Sequence, residues 1–462
     1  MYPIKRLYAL LLAGCLAGCA DLAKPQALMP ASLDNLAGRT VPARPPAMQL
    51  DPAGERLVAE ALQHSPDLEA IEARLRENAA QIDAGLSGLW PTLNADGSTG
   101  RALERSEPGT DTSDASGVKR RYGGLRFAWE LDLFGQQASL RRSAMADRQA
   151  ALLERDAARI TLANTVRAEL LRQRFAREEL ALARQQRELA SAALTMSTPM
   201  RQAGLQTEAA LNSLRSALAM QEADIASLQL AQTASTLRLR TLSNAAPALL
   251  DQAAAVPLVQ CSAAAPLAVP LPWVSQRLDV AAAEHKLNAA LAGMDMAAAA
   301  RYPTFTLTGS ANRTRDHSLG MGGLISTTTR EFLGVDMAWN LFDGGRRSDE
   351  ARAAQAKAQA LAADFRRVVL QAAEETELAI GRVHSSAQAA SLADQAYALA
   401  RHNADLAAIR SRAGIDSRLS SLQQQRDALD RQRQQLGSFR DHCLAAIEMN
   451  RVLALSERQA ER

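Results

Sequence analysis

The sequence contains little of what builds a compact mixed core. Aromatic residues make up only 4% of its 462 residues, and there are only 4 cysteines. Long stretches rich in Ala, Leu, Gln, Arg and Glu contain neither Gly nor Pro. This composition favours extended helices over a series of ordinary globular domains.

Charge imbalance and chemical motifs are also lacking. The 53 Lys and Arg residues nearly balance the 50 Asp and Glu residues, which leaves a net charge of +3. No basic stripe with interleaved aromatics is present, so we predict no nucleic-acid partner. The sequence lacks a P-loop, a nucleophile elbow and a Cys/His metal motif. We therefore predict that the chain is not an enzyme and has no catalytic residue, metal site or cofactor.

The N-terminus carries an export signal. Basic residues precede an apolar run that ends at residue 18, which is the layout of a secretory signal and is too short to span a membrane. The sequence Leu-Ala-Gly-Cys occurs twice here, ending at Cys15 and at Cys19, and each copy resembles the bacterial lipobox, whose cysteine is acylated. Cys19 leaves an apolar core of normal length. We therefore predict a signal peptide over residues 1–18, lipidation of Cys19 with Cys15 as the alternative, and a lipid-anchored arm over 19–53.

Two further cysteines, Cys261 and Cys443, would lie in an oxidising compartment, where a disulfide is permitted. Cys261 falls in a predicted linker and Cys443 in a predicted helix, and nothing in the sequence brings them together. A bond between them is open but is not predicted.

Two stretches show the period-two alternation of a strand with one apolar face. In Leu333–Leu341 the odd positions are apolar and the even positions are small or polar. Leu125–Leu131 has the same pattern about 210 residues earlier. Each is preceded by another alternating stretch that opens with an aromatic residue and Pro-Thr, at Trp90 and at Tyr302, so each pair predicts a hairpin.

Helical patterns surround the hairpins. A first run covers about 54–86, and a second covers 139–198, roughly 60 residues or about 90 Å. Pro199 and Gly204 are predicted to end the second run. A further run over 348–411 carries two rows of residues at seven-residue spacing, typical of an a/d packing seam. One row is Ala354, Leu361 and Val368, and the other is Ala358, Phe365, Ala372 and Ala379.

The order of elements occurs twice, which predicts a tandem duplication of one large unit. Each repeat consists of a helix, a β-hairpin and a long helical hairpin. The predicted boundaries are 54–243 for the first repeat with its hairpin at about 90–134, 244–272 for a linker, 273–457 for the second repeat with its hairpin at about 302–342, and 458–462 for a C-terminal tail.

The hairpins predict a membrane pore built from several chains. Four strands cannot close a barrel, and an open sheet cannot lie in lipid with unpaired edges. The smallest cyclic assembly with a useful bore is a trimer of twelve strands, each roughly 9 to 11 residues long. The apolar faces would contact lipid, and the alternative is a soluble β-subdomain that buries them. Lumen-facing polar residues would be Arg126, Glu130, Asp132 and Asp336.

These features together resemble the TolC-like outer membrane factors. The resemblance rests on the lipobox, the duplicated unit, the Trp/Tyr-Pro-Thr strand openings and the Ala-Gly turns at 203–204 and 413–414. It covers essentially the whole mature chain and is greatest to the lipoprotein (NodT-type) branch of resistance-nodulation-division efflux systems, although Arg277-Leu278-Asp279 departs from the usual Arg-Pro-Asp. It implies a mainly α protein with transmembrane β-strands: a homotrimeric 12-stranded β-barrel continuous with a long periplasmic α-helical barrel.

The resemblance also implies partners and site residues. The helical end would dock to a periplasmic adapter (membrane fusion) protein and an inner-membrane resistance-nodulation-division pump, and the barrel would contact outer membrane lipid. Asp416 would form a threefold carboxylate ring, the periplasmic tip gate; the alternative is a surface aspartate that caps the next helix. The adapter-contact residues would be Gly204, Leu205, Thr207, Gly414, Ile415 and Ser417.

The predicted function is therefore that of an exit duct. The chain would conduct small molecules passively across the outer membrane of a Gram-negative bacterium, as part of a tripartite efflux system, and would extend into the periplasm. The alternatives are a lipid-anchored periplasmic coiled-coil adapter or scaffold, which would not need lipid-spanning hairpins, and the exit duct of a type I protein secretion system.

Overall fold

The computed structural model describes residues 48–105, 115–258, 261, 271–318 and 323–453. The predicted signal peptide, both lipobox cysteines, most of the predicted arm and the predicted C-terminal tail lie outside the described residues. The chain divides into two compact units. Within the described residues one unit combines 76–150 with 283–365, and the remaining segments form the other.

The first unit contains a four-stranded antiparallel sheet in the order β1-β2-β3-β4. The pairing of β2 with β3 joins the hairpins of the two repeats edge to edge, with Leu125 opposite Ala311. The predicted tandem hairpins are therefore confirmed. The strands are β1 (Thr92–Arg105), β2 (Ala115–Leu131), β3 (Thr304–Ser318) and β4 (Ile325–Ala338).

The apolar faces of the strands are exposed within the chain. Leu333, Val335 and Met337 project from β4 into open space, as do Leu125 and Trp129 from β2. The alternative of a soluble β-subdomain that buries these faces in its own core is therefore wrong.

The strand lengths differ from the prediction. They run to 14, 17, 15 and 14 residues, not 9 to 11, because each continues beyond its apolar part into Thr, Ser, Arg and Lys residues that still pair. At its other end β4 stops at Ala338, so Trp339 and Leu341 keep the alternation without belonging to the sheet.

The helices, numbered in chain order, are α1 (Pro52–His64), α2 (Pro66–Leu86), α3 (Gln136–Gln202), α4 (Glu208–Ser243), α5 (Pro247–Ala255), α6 (Leu271–Ser275), α7 (Leu278–Ala299), α8 (Arg346–Arg412) and α9 (Arg418–Val452). The long helices α3 and α8 have 67 residues each, which matches the predicted duplication. One row of the predicted seam on α8 is confirmed, since Ala358, Phe365, Ala372 and Ala379 are all buried. The other row, Ala354, Leu361 and Val368, is half-buried.

Two helix predictions were wrong. The single run over 54–86 is broken at Ser65, which has ψ 123°, because the residue before a proline is forced out of the helical region. Pro199 does not end α3, which continues to Gln202. Because Pro199 lies close to the end of the helix, its missing N–H removes only one hydrogen bond. The N–H of Ala203 still donates to the Pro199 carbonyl at 3.0 Å. The predicted linker contains the helix α5.

The core of the second unit explains why α5 forms. Leu250 and Ala253 of α5 are buried in one cluster with Leu57 of α1, Leu170 of α3 and Leu239 of α4. Burial of each of these leucine side chains contributes about 1.5–3 kcal/mol. The connector between the repeats is therefore partly an integral element of the packed core.

Candidate functional site

The two turns that join the long helices have the same backbone geometry. Gly204 lies between α3 and α4, Gly414 lies between α8 and α9, and both have φ 73°. The N–H of the next residue, Leu205 or Ile415, donates to the carbonyl five residues earlier at 2.9 Å in both turns. This is the Schellman motif, in which glycine takes the left-handed position because a Cβ is disfavoured there.

The residues that start the next helices are also matched. The Thr207 hydroxyl accepts a hydrogen bond from the Ala210 N–H at 3.3 Å, and the Ser417 hydroxyl accepts one from the Ser420 N–H at 3.1 Å. Both residues are N-caps, which satisfy amide groups that have no partner inside the helix. The predicted contact residues at these positions therefore shape the turns whatever else they bind.

Each turn presents one exposed apolar side chain. Leu205 is 74% exposed and Ile415 is 69% exposed. They occupy equivalent positions directly after the glycines. Within the chain these side chains gain little from burial, so they are available to a partner.

Asp416 forms an ion pair inside its own turn. Arg410 Nε lies 3.0 Å from Asp416 Oδ2, and a second guanidinium nitrogen lies 3.3 Å from Oδ1. The carboxylate is only 29% exposed. Because Ser417 caps α9 with its own side chain, the alternative in which Asp416 caps that helix does not match the structure.

The first turn lacks this carboxylate. Gln206 stands at the position equivalent to Asp416. The acidic residue of this turn is instead Glu208, which pairs with Arg201 at 2.7 Å and with Arg215 at 3.5 Å. The two turns therefore share a backbone and an apolar side chain but differ in the placement of charge.

The polar face of the sheet carries paired charges. Arg126 Nε contacts Asp96 at 2.7 Å, and Arg120 binds Asp316 through two hydrogen bonds of 2.8 and 2.9 Å. Asp336 accepts a hydrogen bond from the Thr308 hydroxyl at 2.7 Å. The expected polar positions Arg126 and Asp336 thus lie on the face opposite the apolar side chains.

Asp132 was wrongly assigned to that face. It lies just beyond the end of β2, where its carboxylate accepts hydrogen bonds from the N–H groups of Gln137 at 3.1 Å and Ala138 at 2.7 Å. Such bonds stabilise the N-terminus of α3, whose first amides have no helical partner. Asp343 does the same before α8, with bonds to the N–H groups of Gly345 and Arg347.

Aromatic residues collect where the strands meet the helices. The indole N–H of Trp129 donates to the Leu89 carbonyl at 3.2 Å, and that of Trp339 donates to the Arg301 carbonyl at 3.2 Å. Phe134 stacks on Tyr302 with ring centroids 4.9 Å apart. An apolar ring with a satisfied polar tip suits the boundary between lipid and water.

A disulfide joins Cys261 to Cys443, with the Cα atoms 5.4 Å apart. The sequence left this bond open but did not predict it. Cys443 is buried beside Leu171 and Phe175, and Cys261 packs against the same cluster. The apolar contacts that place them are long-range, so no local pattern in the sequence could have revealed the pair.

Sequence patterns also did not reveal the setting of Arg277. Its buried guanidinium contacts Asp279 at 2.6 Å and Glu375 at 2.8 Å and donates to the Ala372 carbonyl at 3.2 Å. Burial acts to lower the pKa of Arg277, but the hydrogen bonds from its side chain to Asp279 and Glu375 raise it above its usual value. The Arg-Leu-Asp sequence therefore fastens the start of α7 to α8.

Two kinds of site are absent from the part of the chain that the structure describes. No three His, Cys, Asp or Glu side chains converge there on a position that could hold a metal ion. No helix in the same residues combines the length and apolarity needed to cross a bilayer.

Comparison with known proteins identifies the family. The model of the family described as "Outer membrane efflux protein" matches residues 57–245 and 274–448. The chain is similar to the pyoverdine export outer membrane protein OpmQ of Pseudomonas aeruginosa, with 28% identity over 81% of this chain and 79% of that protein. It is also similar to the probable outer membrane lipoprotein SilC of Salmonella typhimurium, with 28% identity over 64% of this chain and 65% of that protein.

A solved structure shows the same fold. The CmeC outer membrane channel of Campylobacter jejuni superposes with a TM-score of 0.77 and 17% sequence identity, over 96% of each chain. The chain therefore belongs to the outer membrane efflux protein family, and it is an outer membrane exit channel of a tripartite efflux system and not an enzyme.

Proposed function

We propose that three copies of this chain form one duct. The duct docks through the two helical turns of each chain to a periplasmic adapter and an inner-membrane resistance-nodulation-division pump. Asp416 gates its tip. The observation that carries this proposal is the matched pair of turns, each with an exposed apolar side chain. Lipidation of Cys19 would anchor the chain. This part of the proposal is supported by the relative SilC, which is named a probable outer membrane lipoprotein.

The edges of the sheet support a cyclic assembly. Within the described part of the chain, strands β1 and β4 each pair on one side only, so their outer backbone groups need partners inside a membrane. Pairing β4 of one copy with β1 of the next satisfies both edges. Three copies then close a barrel of twelve strands.

Exposed apolar stripes on the long helices support the same contact. Leu392, Leu399 and Leu406 lie seven residues apart on α8 and are all exposed within the chain, as are Leu230 and Leu237 on α4. Seven-residue spacing is the pattern of helices that pack along their length. A neighbouring copy would bury both stripes.

The turns suit an adapter made of helices. Leu205 and Ile415 stand at the ends of helical hairpins, and an apolar residue there can enter a groove between two helices of a partner. Docking through two equivalent turns in each of three chains would give six similar contacts. The match in geometry between the turns explains how one adapter could recognise both.

The gate hypothesis rests on Asp416 and its partner Arg410. Threefold symmetry would place three such ion pairs around the axis, where they narrow the tip and hold it shut. Removing either partner should loosen the tip, but the charge left behind differs. Asp416→Ala leaves a ring of arginines that attracts anions, and Arg410→Ala leaves a ring of aspartates that attracts cations.

Single-channel recording in planar bilayers at neutral pH tests this gate. Both variants should conduct more than the wild type, with reversal potentials in a salt gradient shifted in opposite directions. Gln206→Ala, at the equivalent position of the first turn, is the matched control and should leave both quantities unchanged. Unchanged conductance and unchanged selectivity in both charge variants would contradict the gate hypothesis.

The adapter contact has its own test. Leu205→Asp and Ile415→Asp should weaken cross-linking between purified trimer and the adapter, while conductance of the isolated trimer stays the same. Full cross-linking in the double variant would contradict docking through the turns. We assign the choice of cargo to the pump, because an exit duct makes few selective contacts.

A further inference from the structure

The outward face of the sheet changes character along the strands. Nearest the helices this face is apolar, with Trp129 and Phe127 on β2 and Leu307 on β3. Further along, the same face carries basic residues, and the five whose side chains the structure describes form what we call the basic patch. Its members are Arg101 on β1, Lys119 and Arg121 on β2, and Arg313 and Arg315 on β3, and all five are exposed.

The strand register places these like charges against each other. Arg121 lies directly opposite Arg315, and Arg101 lies directly opposite Lys119. Side chains opposite each other in an antiparallel sheet have Cβ atoms about 5 Å apart, and like charges there destabilise the sheet. Such an arrangement calls for a compensating anion.

The described chain does not supply that anion. Among the described residues none of the five forms an ion pair, and Glu331 on β4 is the only acidic residue on this face. The opposite face of the same strands differs, because Arg120 and Arg126 there each bind an aspartate. Among the described strand residues, the unpaired basic side chains are therefore concentrated on the side that would meet lipid, with Arg330 alone on the opposite face.

The position of the basic patch identifies the source of the anion. Arg121 lies ten residues before Leu131, the helix-proximal end of β2, which is about 34 Å along a strand at about 3.4 Å per residue. At a tilt of about 40° this becomes about 26 Å along the membrane normal, and the apolar band of such barrels is about 25 Å tall. The patch therefore lies at the headgroup level of the leaflet farther from the helices.

We propose that the basic patch binds the phosphate groups of an outer-leaflet lipid whose headgroup carries more than one phosphate. Arginine guanidinium groups match phosphate oxygens in bidentate geometry, and two opposed cation pairs can hold two phosphates at once. The acyl chains of such a lipid would lie along the apolar part of the same face. The inference rests on the proposed function for its orientation, in which the helices point into the periplasm.

Lipid retention by purified protein tests the proposal. The wild-type chain, extracted in detergent, is mixed with a bis-phosphorylated diglucosamine lipid or with its dephosphorylated form, and bound lipid is measured by native mass spectrometry. We expect retention of the phosphorylated lipid only. The double variant Arg121→Gln with Arg315→Gln should retain it roughly 30-fold less well.

The controls separate the alternatives. Arg330→Gln removes one charge from the opposite face of β4 and should leave retention unchanged. Millimolar inorganic phosphate should not displace the lipid, and full displacement would mean a site for free phosphate, which overturns the lipid assignment. Equal retention of both lipids, or equal retention by wild type and double variant, would also overturn it.

The outcome does not depend on the trimer, because the basic patch lies within a single chain. A monomer that retains the phosphorylated lipid would support the lipid site and contradict the proposed assembly. A conducting trimer that fails to retain it would overturn the lipid site alone. Because the substitutions relieve like-charge repulsion, the double variant should be at least as stable as the wild type in lipid-free detergent, so loss of binding would not reflect misfolding.

Discussion

Cys261 in the connector between the repeats is bonded to Cys443 in the last long helix, across 182 positions of sequence. The bond lies against the apolar cluster around Phe175. The first part of the connector is thus held at two points, by the burial of α5 and by the disulfide at Cys261.

Removing the disulfide should destabilise the second unit. The variant Cys261→Ser with Cys443→Ala should lose about 2–4 kcal/mol, because the unfolded chain regains the entropy that a long closed loop denies it. Alanine is chosen at position 443 since a hydroxyl buried there would add its own cost. Loss of the helical circular dichroism signal on heating in detergent measures the effect. Wild-type protein treated with a reductant should match the variant, and equal melting of all samples would contradict a stabilising role.

The turn glycines should not tolerate a side chain. Gly414→Ala is expected to cost about 1–2 kcal/mol through its left-handed backbone, although no atom lies within 4 Å of an added Cβ. Gly381, inside α8, is the matched control: its surroundings are equally open, and alanine there should stabilise the helix by up to about 1 kcal/mol. Hydrogen exchange of the amides near each position would report these opposite signs. The same sign at both sites would mean that the backbone conformation is not the cause.

Acid should weaken the attachment of α1 to α3. Burial acts to raise the pKa of Asp51, but hydrogen bonds from Arg174 and from the Gly54 N–H outweigh it and lower the pKa below its usual value. A carboxyl with a lowered pKa in the folded state stabilises fully above its unfolded pKa of about 3.9 and loses this contribution as the pH falls through the folded value. Melting temperatures measured from pH 5 to pH 2 should therefore fall.

Asp51→Asn isolates this carboxyl. Asparagine keeps the N-cap of α1 but cannot ionise, so the variant should be less stable than wild type at pH 5 and should approach it at pH 2. A constant difference between the two proteins across this range would show that Asp51 does not titrate with folding.

The lipid anchor can be tested by labelling in cells. Cys19→Ser, with Cys15 intact, should abolish incorporation of a radioactive fatty acid, because the thiol that would be acylated is gone. Cys15→Ser is the matched control and should label normally. Persistent labelling of the Cys19 variant would move the anchor to Cys15 or show that either cysteine can serve.

Local signals in the sequence predicted the fold class, the duplication and both hairpins. The alternation around Val335 and the turn glycines at 204 and 414 are signals that depend only on neighbouring residues. They can therefore be recognised without knowledge of the fold. The outer parts of the strands were missed because Thr, Ser and Arg alternate there with little contrast in polarity. The end of the helix was wrongly predicted at Pro199, because a proline removes one backbone hydrogen bond but does not by itself end the helix.

Long-range relationships could not be predicted in this way. The Cys261 to Cys443 bond, the burial of Arg277 against α8 and the opposition of Arg121 to Arg315 each join segments that lie far apart in sequence. The family pattern pointed to Asp416 as a candidate site residue, but its pairing with Arg410 depends on the backbone conformation of the turn. Only the folded backbone supplies such juxtapositions.

The pairing of β2 with β3 makes each chain a fused pair of half-subunits. The second strand of one repeat meets the first strand of the next inside the chain, and the proposed contact of β4 with a neighbouring β1 would repeat that relationship between chains. A ring of three chains would then have nearly sixfold character, with two alternating kinds of boundary. The boundary inside the chain joins covalently linked repeats and the boundary between chains does not, so the two kinds can differ in sequence while keeping one circumference.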